Sequence, residues 1–162
     1  MRFKILRYLL EYNRNAVKLC YICSNNKDKK YSIKSLLAKR KLAKKYGIHL
    51  GLNTKIEQGI KLPHPTSIVI GEGVEIGSNC TIYQNVTIGK KRGNLDTEYD
   101  YPKLMNGVTV FPGACIIGDI VIGENSIIAA NSVVVNGNVE ANTIYGGVPA
   151  KCIGYINKNR ME

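Results

Sequence analysis

Ile70, Ile76, Ile82 and Ile88 stand six residues apart, and the same beat returns at Leu104, Val110, Ile116, Ile122, Ile128 and Val134. A six-residue period matches neither the roughly 3.6-residue turn of an α-helix nor the simple alternation of a half-buried strand. A parallel β-helix satisfies it: each flat side of a triangular coil takes one hexad, and the aliphatic side chain fills the interior. A small or modest residue two positions before the next aliphatic is expected to turn the corner, at Val74, Cys80, Val86, Ala114, Ser126 and Ser132. Glycine follows the aliphatic in Ile70-Gly71, Ile76-Gly77, Ile88-Gly89 and Ile122-Gly123, where a side chain is expected to crowd the turn. The fold class is therefore mainly β, a parallel β-helix of hexapeptide repeats with a short α-helical segment ahead of it.

That helical segment reads clearly. Residues 2–23 hold Phe3, Leu6, Leu9, Leu10, Asn13 and Val17 near helical spacing. Ser24 to Lys30 is a polar break. Residues 32–46 put Ile33, Leu36, Leu37 and Leu42 on one side of a second helix, with Lys39, Arg40, Lys41, Lys44 and Lys45 around the rest; Gly47 is its expected stop. Charge divides at the same boundary. Residues 1–46 hold 14 Lys/Arg against 2 Asp/Glu, and residues 47–162 hold 9 against 10, so the net +11 belongs to the helices. Such a segment is either a solvated helical collar or a surface for an anionic membrane, a lipid-linked acceptor or an acidic partner. Basicity without a nucleic-acid-binding module gives no nucleic-acid partner.

One domain or one and a half is expected, in three segments: the basic segment 1–46, a β-helix domain over 47–154, and a charged tail over 155–162. The loop insertion 89–103 breaks the hexad beat and carries Lys90, Lys91, Arg92, Asp96, Glu98, Asp100 and the pair Tyr99 and Tyr101. A hydrophilic excursion from a rigid solenoid is where specificity usually resides, although a tolerated surface loop has the same composition. No apolar stretch is long enough to span a bilayer, and no secretory leader pattern is present. Cys20, Cys23, Cys80, Cys115 and Cys152 are odd in number and scattered, which suits a reducing cytoplasm. Cys20 and Cys23 have the spacing of a redox or metal half-site, but they fall in a helix with no second pair and read as packing residues.

Two histidines exist, His49 and His64. His64 lies in Leu62-Pro63-His64-Pro65, just before the regular repeats, where a coil corner can turn a side chain to a cleft rather than the core, although a lone histidine is more often structural. An imidazole there is suited to taking a proton from a hydroxyl at neutral pH.

The run Gly59-Ile60-Lys61-Leu62-Pro63-His64-Pro65-Thr66-Ser67-Ile68-Val69-Ile70-Gly71-Glu72, with Gln84 to Gly89, Pro102-Lys103-Leu104 and Gly146-Gly147-Val148-Pro149-Ala150-Lys151, resembles the hexapeptide-repeat acyltransferases. The nearest branch is the serine acetyltransferase type with its polysaccharide O-acetyltransferase relatives. The resemblance implies a left-handed β-helix and a homotrimer with active sites between subunits. It also implies acetyl-CoA as co-substrate, no metal, and direct attack of an acceptor hydroxyl on the thioester. His64 matches the family's general base. Gly89, Pro112, Ala130 and Lys151 match its CoA-binding positions.

Three acceptor positions depart from the serine acetyltransferase pattern. The aspartate that orients the base, fifteen residues earlier, is His49 here; the aspartate just before the base is Pro63; the Arg-His pair that holds the serine carboxylate is Asp100-Tyr101. Losing charges that grip a zwitterion costs several kcal/mol, on the order of what an unpaired charge costs in a closed site. A polyol needs hydrogen bonds and aromatic surface instead, which Tyr99 and Tyr101 offer. The expected activity is thus O-acetylation of a sugar in a surface polysaccharide or its precursor, in the cytoplasm and at the inner face of the membrane if residues 1–46 touch it. The alternatives are serine O-acetylation and a non-catalytic β-helix scaffold. Zinc β-helix enzymes need three histidines per metal, nine in a trimer, and a trimer of this chain has six.

Overall fold

The computed structural model describes residues 2–24, 32–91 and 101–156. Two helices come first, α1 (Arg2–Ser24) and α2 (Ile33–Tyr46). Twelve short strands follow: β1 (His49–Leu50), β2 (Lys55–Ile56), β3 (Val69–Ile70), β4 (Glu75–Ile76), β5 (Thr81–Ile82), β6 (Thr87–Gly89), β7 (Lys103–Leu104), β8 (Thr109–Val110), β9 (Cys115–Ile117), β10 (Val121–Ile122), β11 (Ile127–Ile128) and β12 (Val133–Val134). A hairpin of β13 (Thr143–Gly147) and β14 (Ala150–Tyr155) ends the described chain.

The strands stack into three parallel faces. Face A is β1-β3-β6-β9-β12, face B is β2-β4-β7-β10, and face C is β5-β8-β11-β13-β14. Val69 pairs with Thr87, and Cys115 with Val133, eighteen residues on, so three hexads make one coil. The aliphatic beat fills the prism as expected: Ile70, Ile76, Ile82, Ile88, Leu104, Val110, Ile116, Ile122, Ile128 and Val134 are at most 2% exposed. Burying each such side chain contributes about 1.5–3 kcal/mol, and this row is the core of the molecule.

The corners are built differently from the sequence expectation. Val74, Cys80, Val86, Ala114, Ser126 and Ser132 do not form the turn; they point inward beside the aliphatics and are fully buried. The turn residue is the one before each of them. Gly73, Asn79, Asn85, Gly113, Asn125 and Asn131 all have φ between 55° and 73°. Only glycine, and asparagine among common residues, adopts that left-handed conformation at little cost. Glycine after the aliphatic is crowded at Gly77 and Gly123, where a Cβ would lie 2.7 Å from Asn106 Oδ1 and 2.4 Å from the Ala141 nitrogen. Gly89 is different: a Cβ there would meet nothing within 4 Å.

The helices cover the open N-terminal end of the coil, α2 against β1 and α1 against β2, which shields a sheet edge from stray pairing. Helix α2 is capped by Ser32, whose hydroxyl accepts from the Ser35 N–H, and by Gly47 at φ 63°. It is rotated away from the expected orientation. Ser35, Ala38, Leu42 and Tyr46 face inward, and Ile33, Leu36 and Leu37 are 76%, 67% and 58% exposed. No helix among the described residues is long and apolar enough to cross a membrane.

Candidate functional site

Two departures from eighteen residues per coil mark the places where the solenoid is elaborated. The first is at His64. Lys61 bridges to Thr81 on face C, and Val69 pairs with Thr87 on face A. The stretch from Lys61 to Val69 is therefore two residues longer than its counterpart from Thr81 to Thr87. The surplus bulges outward at Pro63-His64-Pro65, on the edge between faces C and A. The Thr66 N–H closes the bulge on the His64 carbonyl at 2.8 Å, and Ser67 takes φ 53°. Helix α1 holds it from outside: the Asn13 side-chain amide donates to the Pro63 carbonyl at 2.9 Å.

The His64 side chain is exposed and lines a cavity of about 410 Å³ with Tyr12, Asn13, Pro63, Pro65 and Thr66. Its ring stands 6.3 Å from that of Tyr83, which stacks on Phe111 at 5.1 Å and 6°. An aromatic column thus descends the C–A edge from the histidine. Sequence analysis missed this column and the whole contribution of α1. The column was findable, because Thr81 and Thr109 pair and Tyr83 and Phe111 follow at equivalent positions.

Pro112 and Ala130 stand on the same edge, one coil apart, with the Asn131 N–H donating to the Pro112 carbonyl at 2.9 Å. Lys151 joins them through the hairpin: it pairs with Gly146, and a Cβ on Gly146 would lie 3.5 Å from that of Ala129. The Gly147 N–H bonds the Ser132 hydroxyl at 3.2 Å and fixes the hairpin there. His64, Pro112, Ala130 and Lys151 therefore share one edge of the prism. Lys151 and Ala130 are exposed.

The second departure is the loop. Thr87 pairs with Cys115, ten residues beyond a plain coil. Its limits are narrower than the expected 89–103, since Gly89 still belongs to β6 and Lys103 already to β7. It leaves from the edge between faces A and B. Tyr101 covers the Gly73 corner, where a Cβ would meet its ring at 2.7 Å, and the Lys90 ammonium stands 5.6 Å from the Tyr101 ring centroid. Asp100 and Tyr99 lie outside the described residues. Gly89 and Tyr101 thus flank one edge of face A and His64 the other, so a single chain does not bring them together.

His49 is not brought to His64 either. It lines a separate cavity with Leu36, Lys39, Arg40 and Ala43. Among the described residues the His64 imidazole makes no hydrogen bond, and its ring neighbour is Tyr83. The paired thiols of α1 are poor nucleophiles: burial pushes Cys20 up to about 12 and Cys23 up to about 11. That agrees with the packing reading and not with redox chemistry.

Comparison with known proteins agrees with this architecture. The family model "Bacterial transferase hexapeptide (six repeats)" matches residues 101–136. The chain is 32% identical over 126 residues to a serine acetyltransferase of Buchnera aphidicola, covering 78% of this chain and 45% of that one. A solved serine acetyltransferase of Neisseria gonorrhoeae superposes with a TM-score of 0.64 at 30% identity, covering 76% of this chain and 47% of the other. A serine acetyltransferase of Brucella abortus, solved in complex with coenzyme A, gives 0.62 at 25% identity, covering 93% and 72%. The repeat and the left-handed β-helix make the chain a hexapeptide-repeat protein of the bacterial transferase type, and its relatives are acyltransferases of that kind. Within them it is similar to the serine acetyltransferases, of whose length it spans about half or less in the Buchnera and Neisseria relatives.

Proposed function

We propose that the chain is an acetyl-CoA-dependent O-acetyltransferase in which His64 takes the proton of an acceptor hydroxyl as that oxygen attacks the thioester carbon. The observation that carries the reading is the common edge: an exposed imidazole, with no hydrogen bond among the described residues, above the small residues Pro112 and Ala130 and the cation of Lys151. A thioester is already reactive, so the protein's task is to place two substrates and remove one proton. The flat run below His64 suits a pantetheine arm, Lys151 suits a phosphate, and the free space beside Gly89 suits the reacting end.

The functional unit is a homotrimer, with the C–A edge of one subunit against the A–B edge of its neighbour. That arrangement is supported by the separation of His64 from Gly89 and Tyr101 within one chain. Exposed Val148, Ile153 and Tyr155 on the terminal hairpin offer apolar surface for association.

Serine is the acceptor that the relatives support, and the preference for a glycan sugar drawn from the sequence finds no support among them. One observation favours a sugar nonetheless: a proline and a tyrosine, Pro63 and Tyr101, stand where charges that grip a zwitterion are expected. Release of free thiol from acetyl-CoA, with L-serine and then surface-glycan precursors as acceptors, separates the two. A saturable rate with serine establishes serine; a rate with a glycan precursor alone establishes the sugar. No rate with any hydroxyl acceptor, from protein that binds CoA, overturns the proposal.

A peripheral membrane contact is the second part of the reading. Helix α2 exposes Ile33, Leu36 and Leu37 together with Lys34, Arg40, Lys41, Lys44 and Lys45. An apolar face rimmed by cations is the composition of an interfacial helix on anionic lipid, which supports a peripheral contact at the inner face of the membrane.

A further inference from the structure

A second cavity adjoins that of His64. It measures about 480 Å³ and lies between α1 and the first coil. Its floor is apolar, formed by Val17, Ile60, Leu62 and Tyr21, whose hydroxyl accepts from the Ile60 N–H at 3.2 Å. Its rim carries Arg14, Lys18 and Lys61, all exposed, and no carboxylate lines it. None of the three cations makes an ion pair among the described residues. Asn13 and Pro63 line both cavities, so the hydrogen bond between them is a shared wall.

We propose that this groove binds the phosphate-bearing portion of the acceptor, while the acceptor's hydroxyl reaches His64 across the Asn13–Pro63 wall. The inference rests on His64 as the base and adds the acceptor's chemical class: a hydroxyl compound carrying a phosphate or diphosphate. Three cations around one groove, with no carboxylate among the described residues that line it, focus a positive field there. Arginine in particular matches phosphate oxygens with a two-pronged donor set. The volume lies within the range of pockets for whole small-molecule ligands, about 300–1,000 Å³, far more than a lone carboxylate needs. The apolar floor beneath the cations suits the carbon framework joining phosphate to sugar, whether that phosphate belongs to a soluble sugar nucleotide or to a lipid carrier.

The test is calorimetric titration of the full chain with inorganic pyrophosphate under saturating CoA, which keeps the CoA phosphate positions occupied. Wild type is expected to bind. The triple variant Arg14→Gln, Lys18→Gln, Lys61→Gln is expected to weaken binding at least tenfold. A control of equal charge change on α2, Lys41→Gln, Lys44→Gln, Lys45→Gln, is expected to stay within twofold. All these positions are exposed, so the fold should persist, and a thermal melt checks it. Absence of binding to wild type, or equal loss in the control, overturns the groove. His64→Ala should still bind pyrophosphate, so failure of the general base and failure of the groove are seen separately. Two further probes decide the source, a nucleoside diphosphate sugar and a short polyprenyl diphosphate in neutral detergent micelles, each titrated against wild type and the groove variant: tighter groove-dependent binding of the first assigns the phosphate to a soluble acceptor, and of the second to a lipid carrier.

Discussion

Asn13 on α1 holds the Pro63 carbonyl at 2.9 Å, across fifty residues of sequence, and so ties the basic helical segment to the turn that presents His64. Removing the amide leaves the carbonyl to water and frees the bulge. Asn13→Ala is expected to cost about 1 kcal/mol in stability and to lower kcat several-fold, with CoA affinity unchanged. Thermal melts and steady-state kinetics check both. Unchanged kcat would make the helical segment a cover for the coil and nothing more.

The corners give a sharper stability prediction. A Cβ on Gly113 would lie 2.2 Å from Asn131 Oδ1, and Gly113 has φ +73°. Gly113→Ala is strained twice, by backbone and by contact, and should lose roughly 1–3 kcal/mol. Gly137 has φ +69° but nothing within 4 Å of a Cβ, so Gly137→Ala should lose about 1 kcal/mol. Urea denaturation compares the two; equal losses would mean the Asn131 side chain swings aside freely.

Most of the coil was legible because the hexad signal is local: an aliphatic every six residues specifies an interior position wherever the strand lies. The corner signal was equally local and was assigned one residue too late, to the buried Val74 and Ser126 rather than to Gly73 and Asn125. The orientation of α2 was not legible. Apolar spacing favours Ile33, Leu36, Leu37 and Leu42 as the inward face, but packing against α1 and β1 keeps only Leu42 of these and adds Ser35, Ala38 and Tyr46, and tertiary packing outranks periodicity in so short a helix. The site was half legible. His64 could be named from its neighbours in sequence, yet the Asn13 clamp and the cationic groove arise from a helix docking on a coil far along the chain. No sequence spacing encodes that meeting.

On face B, Glu75 bridges Lys55 and Lys103. Hydrogen bonds from Lys55 and then Lys103 hold its carboxyl below the ordinary value of 4.5. A lowered folded-state value means the contribution is fully present above 4.5 and is lost as pH falls below it toward the folded value. The cluster is partly exposed, so its worth is at most about 1 kcal/mol. Glu75→Gln should cost less than that at pH 7 and make stability flatter below pH 4.5. Melts from pH 7 to pH 3 measure it; a variant as acid-sensitive as wild type would remove Glu75 from the account.

Binding of the full chain to phosphatidylglycerol vesicles should fall steeply with added salt, since lysines act there through screened charge. Leu36→Asn with Leu37→Asn should weaken it further at any salt concentration. Cosedimentation reads both. Salt-insensitive binding, or none, would leave α2 as a collar for the first coil.

The most direct measurement is turnover by His64→Ala with acetyl-CoA and whichever acceptor supports the wild-type rate. A positioned proton acceptor contributes about 10²–10⁴-fold. The account predicts a loss of that size in kcat, with CoA binding and oligomeric state unchanged. Turnover within about threefold of wild type would contradict it, because the edge that carries His64 would then have no part in the chemistry.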